Sequence, residues 1–178
     1  MKHGHFVNAN RYVVQTSEGG YVLTDDPADI GGQTFAGISR VHNPQWAGWK
    51  FIDDEPTDLE SPYLIAQVAK LYRLKYWHPS LDAIASARVA VLVHSCMVLY
   101  GSRTGFKLVQ EAAHTEIDGV PGPATVRALN RGDWQAFAQR LFVLRAGHHL
   151  HRVQDRKGQR RFLFGWLRRA MVESALPD

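Results

Sequence analysis

One glutamate near the start of the chain stands where an acid catalyst is useful. The stretch SEGGYVLTDDPADIGGQTFAGIS, residues 17–39, places Glu18 directly before a pair of glycines. Gly19 suits the left-handed end of a helix, so we expect Glu18 at the negative end of a helix dipole. That position, with partial burial, favours the protonated carboxyl group that a glycosidase needs to protonate a leaving oxygen. A solvent-facing glutamate in a last helical turn is the simpler alternative.

Three aspartates follow before the second glycine pair, at Asp25, Asp26 and Asp29. Asp29 comes directly before the IGG turn, and a hairpin that folds back on the helix end would bring it opposite Glu18. Two facing carboxyl groups are the usual equipment of glycoside hydrolysis. Thr34, shortly beyond, offers a hydroxyl group to hold the attacking water. Each aspartate alone is also a common turn residue.

The same stretch resembles the opening signature of glycoside hydrolase family 108, the phage-type and secretion-associated N-acetylmuramidases. That signature reads E-G-G-Y, a few residues, and then D-P-x-D-x-G-G-x-T-x-x-G-I. This chain matches it at Glu18, Gly19, Gly20, Tyr21, Asp26, Pro27, Asp29, Gly31, Gly32, Thr34, Gly37 and Ile38. The resemblance implies that Glu18 is catalytic. A wider similarity to the Glu, Asp, Thr triad of other phage lysozymes gives Asp29 and Thr34 their roles.

Two later segments resemble the peptidoglycan-binding region of the same family. Residues 108–130 carry its L-Q and D-G-x-x-G-P-x-T-x-x-A-L elements, and residues 161–169 carry its closing F-x-x-G-W-x-x-R. One departure lies in LVHSCMVLYGS, where the family usually has an aspartate and an asparagine–glycine pair. His94, Ser95 and Tyr100 occupy that neighbourhood here, so we carry no family contact over to them.

The resemblance implies a mainly α-helical, lysozyme-like fold with a small β-hairpin beside the active-site cleft. It divides the chain into a catalytic part, residues 1–90, and a helical peptidoglycan-binding part, residues 91–178, which we expect to pack as one globular unit. The implied activity is hydrolysis of the β-1,4 bond between N-acetylmuramic acid and N-acetylglucosamine. Glu18 donates the proton, while Asp29 stabilises positive charge or activates water held with Thr34. We expect no metal and no organic cofactor.

Three other functions fit parts of the same pattern. A lytic transglycosylase also uses a single glutamate but leaves an anhydro sugar without consuming water. A non-catalytic peptidoglycan-binding module needs only the later segments, and a basic nucleic-acid-binding protein needs only the charge. Because the motifs reach over residues 18–169, the sequence favours the hydrolase.

Helices are the elements that must position these residues. Apolar spacing predicts helices over residues 5–17, 62–76, 81–100 and 162–174. The third is apolar on nearly every side in its latter half, as expected at the centre of a domain. Asp133 is a candidate N-cap for a helix to about His151, and Pro123 suits the first turn of another. YVLT and QTFAGIS are expected to pair as two strands, and DDEPTDLESP is typical of a solvated acidic loop.

The composition of the chain limits the class of protein and its cellular setting. The 178 residues are 45% hydrophobic and 21% charged, which is ordinary for a globular protein. The single cysteine, Cys96, cannot form an internal disulfide. The start of the chain lacks the apolar region of a signal peptide, and no apolar run reaches the ~20 residues of a membrane span. We therefore expect an endolysin-like monomer that is made in the cytoplasm, released by a holin or export system, and active on peptidoglycan in the periplasm.

Aromatic side chains near the signature are candidates for sugar contact. We expect Trp46 and Trp49 in NPQWAGW to bind the substrate together with Tyr21 and Gln33, and core packing is the alternative for both tryptophans. Histidine gives weaker signals. His94 and Cys96 face different sides of a helix, and the pair His148 and His151 has no third metal ligand nearby.

The net charge of +4 suits polyanions in general. Residues 152–169 hold seven basic side chains against one acid, interspersed with Phe162, Phe164 and Trp166. This basic amphipathic stretch is expected to raise affinity for an anionic envelope surface. Docking of its aromatic rings on the core, with solvated arginines, is the simpler alternative. We expect no nucleic-acid partner.

Overall fold

The structure of the chain is a computed structural model that describes residues 4–25 and 32–176. Across these residues it has eight α-helices and one small antiparallel sheet, which confirms the mainly α-helical class. The helices are α1 (Phe6–Tyr12), α2 (Ala47–Asp54), α3 (Pro62–Tyr76), α4 (Ala87–Tyr100), α5 (Ser102–Ala112), α6 (Pro123–Arg131), α7 (Trp134–Asp155) and α8 (Leu163–Ser174). None of these described helices is long and apolar enough to cross a membrane.

Close contacts divide the chain into two compact units. The small unit is Asn10–Lys75, and the large unit is Tyr76–Asp178 together with Met1–Ala9. The small unit contains Glu18 and the sheet, whereas the large unit contains α4 to α8. The division at residue 90, which follows the family motifs, stays a prediction.

The sheet has three strands instead of the predicted two. Strand β1 (Leu23–Thr24) pairs with β2 (Thr34–Phe35), and β2 pairs with β3 (Ile38–Ser39). QTFAGIS therefore turns back on itself within its own length. The cause lies at its centre, where Ala36 (φ +48°) and Gly37 (φ +76°) both adopt left-handed backbone. Two consecutive positive φ angles are typical of the tight turns that join antiparallel strands.

The helix predicted over residues 81–100 is interrupted. A 3-10 turn occupies Pro79–Ala83, and α4 begins only at Ala87. The break comes from Ser86, whose hydroxyl oxygen accepts a hydrogen bond from the Val89 N–H at 3.4 Å and so caps the new helix. Residues 89–97 are all buried, which confirms the central position predicted for this helix.

Other helix predictions agree more closely with the structure. Helix α3 has the predicted bounds, and α6 begins at Pro123. The Asp133 carboxylate accepts from the Gln135 N–H at 2.8 Å, which confirms the N-cap of α7, although α7 continues to Asp155. The short helix α2 was not predicted, and it takes up the first two residues of the predicted acidic loop.

A buried polar network joins α4, α7 and α8 in the large unit. The Glu173 carboxylate accepts hydrogen bonds from Arg145 Nη1 at 2.6 Å and from Ser95 Oγ at 2.7 Å. Arg169 Nε donates to the same carboxylate at 3.1 Å. Only 1% of the Glu173 and Arg145 side chains is exposed. Because a buried charge is costly unless it is paired and hydrogen-bonded, these groups depend on one another.

The serine of this network is one of the three residues that depart from the family pattern, and the other two also lie inside the large unit. Tyr100 Oη lies 2.7 Å from His149 Nε2. His94 packs edge-on against the rings of Phe6 and Trp77. Burial lowers the pKa of His94 to about 3 and that of His149 to about 4, so both are neutral near pH 7. All three side chains are held by contacts within the large unit.

Candidate active site

Glu18 follows a helix whose last turn is widened. After α1, residues Val13–Ser17 form a π-helical turn, and the Glu18 N–H donates to the Val13 carbonyl at 3.0 Å. Gly19 (φ +81°) and Gly20 (φ +86°) then take left-handed backbone, which glycine adopts without strain. The predicted helix end at Glu18 is confirmed. π-helical turns are frequent at functional sites, and this one lies directly before Glu18.

The Glu18 carboxyl group lies against the turn between β2 and β3. A Cβ placed on Gly37 would stand 2.6 Å from Glu18 Oε2 and 2.6 Å from the Tyr72 hydroxyl oxygen. Side-chain carbons essentially never come that close to another atom, so only glycine fits between these two groups. Tyr72 in α3 is 1% exposed and donates a hydrogen bond to the Ala36 carbonyl at 2.8 Å. A helix end, a turn and a buried tyrosine together define the surroundings of this carboxyl group.

The other two predicted catalytic residues differ in what the structure says of them. Asp29, like Asp26, lies outside the described residues. Thr34 begins β2, two residues before the Ala36–Gly37 turn. Its hydroxyl group donates to the Gly32 carbonyl at 3.0 Å, which leaves the oxygen lone pairs as acceptors. The role of Thr34 in holding water stays a prediction.

Tyr21 and Gln33 are each held by a neighbour in the small unit. The Tyr21 ring centroid lies 6.3 Å from that of Phe35, and burial raises the pKa of the Tyr21 hydroxyl, which remains a hydrogen-bond donor at neutral pH. Gln33 Oε1 accepts from Arg40 Nη1 at 2.6 Å. Arg40 is itself fixed by two hydrogen bonds, of 2.6 and 2.9 Å, to the Asp53 carboxylate. Substrate contact by either residue stays a prediction.

Both tryptophans expected at the substrate lie in the core of the small unit. Trp46 stacks on Phe35 with ring centroids 6.2 Å apart and meets Trp49 edge-on at 5.2 Å. Their indole N–H groups donate to backbone carbonyls, Trp46 to Gln67 and Trp49 to Asn43. Trp49 is 2% exposed, so it has almost no surface to offer a sugar. Trp46 also lines a pocket of about 300 Å³, and we retain only Trp46 as a candidate contact.

Tyr72 is the residue of this site that sequence reasoning missed. It follows Leu64 and Val68 at helical spacing, so it resembles any other core position of α3. Its hydroxyl group was the feature that could have identified it, because a buried tyrosine hydroxyl needs a hydrogen-bond partner.

The histidine and cysteine candidates for metal binding do not converge. Within residues 4–25 and 32–176, no three His, Cys, Asp or Glu side chains gather closely enough to hold a metal ion. His148 meets the Tyr100 ring edge-on at 4.9 Å. Burial raises the pKa of Cys96 to about 11, which keeps its thiol protonated.

Comparison with known proteins adds two family matches and one similar structure. The glycosyl hydrolase 108 model matches residues 12–101, and the model of a predicted peptidoglycan domain matches residues 104–171. No curated protein matches this chain. The structure of Brucella abortus SagA is similar with a TM-score of 0.59 and 22% identity, over 96% of each chain. At this identity the similarity concerns the fold alone.

Proposed function

Because this chain belongs to the glycosyl hydrolase 108 family and is a peptidoglycan-cleaving N-acetylmuramidase, we propose that Glu18 is its general acid. One observation carries the proposal. The Glu18 carboxyl group lies at a helix end against the Ala36–Gly37 turn. Only glycine fits at position 37 beside this carboxyl group. A general acid must stay within hydrogen-bond reach of the oxygen that it protonates, so a carboxyl group fixed in this way suits the task.

The proposed reaction transfers one proton from Glu18 to the oxygen that joins the two sugars. As that proton arrives, the bond from this oxygen to C1 of N-acetylmuramic acid breaks, and N-acetylglucosamine leaves with a free hydroxyl group. Positive charge develops at C1 and the ring oxygen. Asp29 stabilises this charge or takes a proton from the attacking water, which Thr34 holds. The oxygen of that water bonds to C1 while one of its protons passes to Asp29, or to the Glu18 carboxylate where Asp29 only stabilises the charge, which completes hydrolysis.

The Ala36–Gly37 turn has a positioning role in this proposal. Tyr72 anchors the turn through the Ala36 carbonyl, and the turn sets how far the Glu18 carboxyl group can move. Displacement of a reacting group by about 1 Å can cost roughly 100-fold in rate.

Gly37→Ala is therefore expected to lower kcat about 10- to 100-fold. The added methyl group would overlap both Glu18 Oε2 and the Tyr72 hydroxyl oxygen, so the carboxyl group must move. The measurement is kcat on soluble glycan chains, with thermal unfolding recorded on the same samples.

Gly101→Ala is the matched control for this change. Gly101 has nearly the same left-handed φ, +78°, and a Cβ there would meet nothing within 4 Å. Both variants lose stability because a side chain disfavours positive φ, and only Gly37→Ala also loses turnover. Equal kcat for the two folded variants would remove the turn from the positioning role.

Product analysis tests the reaction itself. Purified sacculi are digested with the protein, and the released muropeptides are analysed by mass spectrometry. Hydrolysis leaves a reducing N-acetylmuramic acid end that contains one added water. An anhydro end would instead identify a lytic transglycosylase, and a lack of soluble product would identify a binding module.

We also propose that the basic stretch, residues 152–169, docks on an anionic envelope surface. Its aromatic rings divide between two environments. Trp166 stacks on His149 at 4.9 Å and lies beneath Arg152, so it is half-buried against α7. Phe164 is 79% exposed and Phe162 is 46% exposed, next to several exposed arginines. Exposed aromatic rings beside arginines suit the interface of an anionic lipid layer. Release to that surface by a holin or an export system stays a prediction.

Changing Arg156, Arg160 and Arg168 together to Gln is expected to slow lysis of permeabilised cells at low salt. These side chains are exposed, and exposed charges are screened over about 8 Å at physiological ionic strength, so the difference should vanish at high salt. A triple change of equal charge in α5 and α6, at Lys107, Arg127 and Arg131, is the control. The proposal is wrong if both triple variants slow lysis equally at low salt. It is also wrong if the change in the basic stretch weakens binding to duplex DNA but not to anionic vesicles.

A further inference from the structure

The large unit has a groove where the end of α5 meets α7. Its volume is about 490 Å³, within the range of about 300–1,000 Å³ that small-ligand sites occupy. Ala112, Val143 and Leu144 form its apolar lining, and Val143 is 66% exposed. The groove therefore combines ligand-sized volume with aliphatic surface that is open to solvent.

Two basic side chains line the same groove. Arg140 Nε donates to the Ala112 carbonyl at 2.7 Å, which fixes one edge of the guanidinium group. The two terminal nitrogens of Arg140 have no hydrogen-bond partner within residues 4–25 and 32–176. A guanidinium group held in this way offers a planar fork that matches a carboxylate. His114 is the second basic group, and the exposed Glu111 is the acid of this lining.

The end of α5 places His114 at this groove. His114 adopts left-handed backbone, with φ +54°, directly after α5 ends. Glycine would adopt this conformation without strain, whereas a residue with a side chain stores some. This left-handed turn ends α5, where the Thr115 N–H donates to the Gln110 carbonyl at 3.0 Å, and it places His114 at the groove.

From these observations we propose that the groove binds the peptide stem of peptidoglycan. The stem is a short peptide with alanine methyl groups, free carboxylates and the ammonium group of a diamino acid. Its carboxylate would pair with Arg140, its methyl groups would pack on Val143 and Leu144, and its ammonium group would face Glu111. No Trp, Tyr or Phe side chain lines this groove among the described residues, so it lacks the rings on which a sugar stacks.

This assignment rests on the peptidoglycan-directed function and adds to it the part of the polymer that the large unit binds. The stem peptide is attached to the same muramic acid whose glycosidic bond is cleaved. Binding it would select glycan strands that still carry peptides over strands from which the peptides have been removed.

The experiment titrates the full chain with a synthetic, sugar-free tetrapeptide stem and follows methyl and amide signals by NMR. We expect shifts at Val143, Leu144 and His114, and none with a peptide whose carboxylates are all amidated. Arg140→Gln should weaken binding about 10- to 100-fold, because hydrogen bonds to a charged group are lost. Arg127→Gln on α6 is the control, since it removes an equal charge from an exposed site outside the groove.

A second variant keeps the test valid if loss of the Arg140 contact disturbs α5. Val143→Asp changes an exposed side chain and places a repelling carboxylate in the groove. The proposal is overturned if the tetrapeptide does not bind, or if it binds to Val143→Asp and Arg127→Gln equally well. Hydrolysis of peptide-free glycan strands is measured in parallel. Activity there without peptide binding would contradict the groove assignment while leaving the Glu18 proposal intact.

Discussion

Glu18→Gln is expected to lower the rate of sacculus hydrolysis about 10²- to 10⁴-fold, the usual contribution of a general acid. Glutamine has nearly the same size as glutamate, so the variant still fits against the Ala36–Gly37 turn and should unfold at nearly the same temperature. What it lacks is a transferable proton. The measurement is the initial rate of soluble muropeptide release, because turbidity of whole cells also depends on envelope binding.

Glu60→Gln serves as the control, because Glu60 is an exposed glutamate of the small unit and its loss should leave the rate unchanged. If Glu18→Gln keeps more than about a tenth of the activity, Glu18 is not the acid. Asp29→Asn and Thr34→Ala should each lower the rate of sacculus hydrolysis less than Glu18→Gln does. A crippling effect of Asp26→Asn beside a silent Asp29→Asn would move the second carboxylate role to Asp26.

Glu173→Gln should be the most destabilising of these changes, by about 3–5 kcal/mol. The substitution leaves the 1%-exposed Arg145 without its anion, in an interior where water cannot compensate for the lost charge. Arg169 loses the same partner. Domains are stable by only about 5–15 kcal/mol in total. The loss should therefore appear in urea unfolding as a lower midpoint with an unchanged denaturant slope.

Glu116→Gln, an exposed change in the large unit, is the control for charge alone. Combining Glu173→Gln with Arg145→Met should recover part of the lost stability, since the orphaned charge is then removed. If Glu173→Gln lowers the free energy of unfolding no more than Glu116→Gln does, the buried ion pair is not what holds α8 in place.

Local signals in the sequence predicted the parts of this fold that local chemistry determines. Asp133 caps α7 with its own carboxylate, and glycines after Glu18 end a helix because they adopt positive φ. The break before α4 was missed although its cause is local. Ser86 is a good N-cap, but apolar residues on both sides of it suggested one uninterrupted helix.

The missed parts of the candidate site depend on contacts between distant residues. Tyr72 touches the Ala36 carbonyl from 36 residues away, and its spacing in α3 shows only that it is buried. Gly37 stood in the family signature, but the reason for glycine became visible only with Glu18 and Tyr72 in place. Trp49 had the residue type of a sugar contact, and packing decided otherwise.

The state of Cys96 makes the chain suitable for site-specific labelling. Cys96 is the single cysteine, is fully buried, and has a thiol whose pKa burial raises to about 11. Maleimide dyes and spin labels react with exposed thiolates, so they should leave it untouched. A cysteine introduced at Phe164 or Val143 would then be the one reactive thiol, without removal of the native residue. Two single-cysteine variants, each labelled at one of these positions, would report envelope approach and peptide capture separately in parallel lysis reactions.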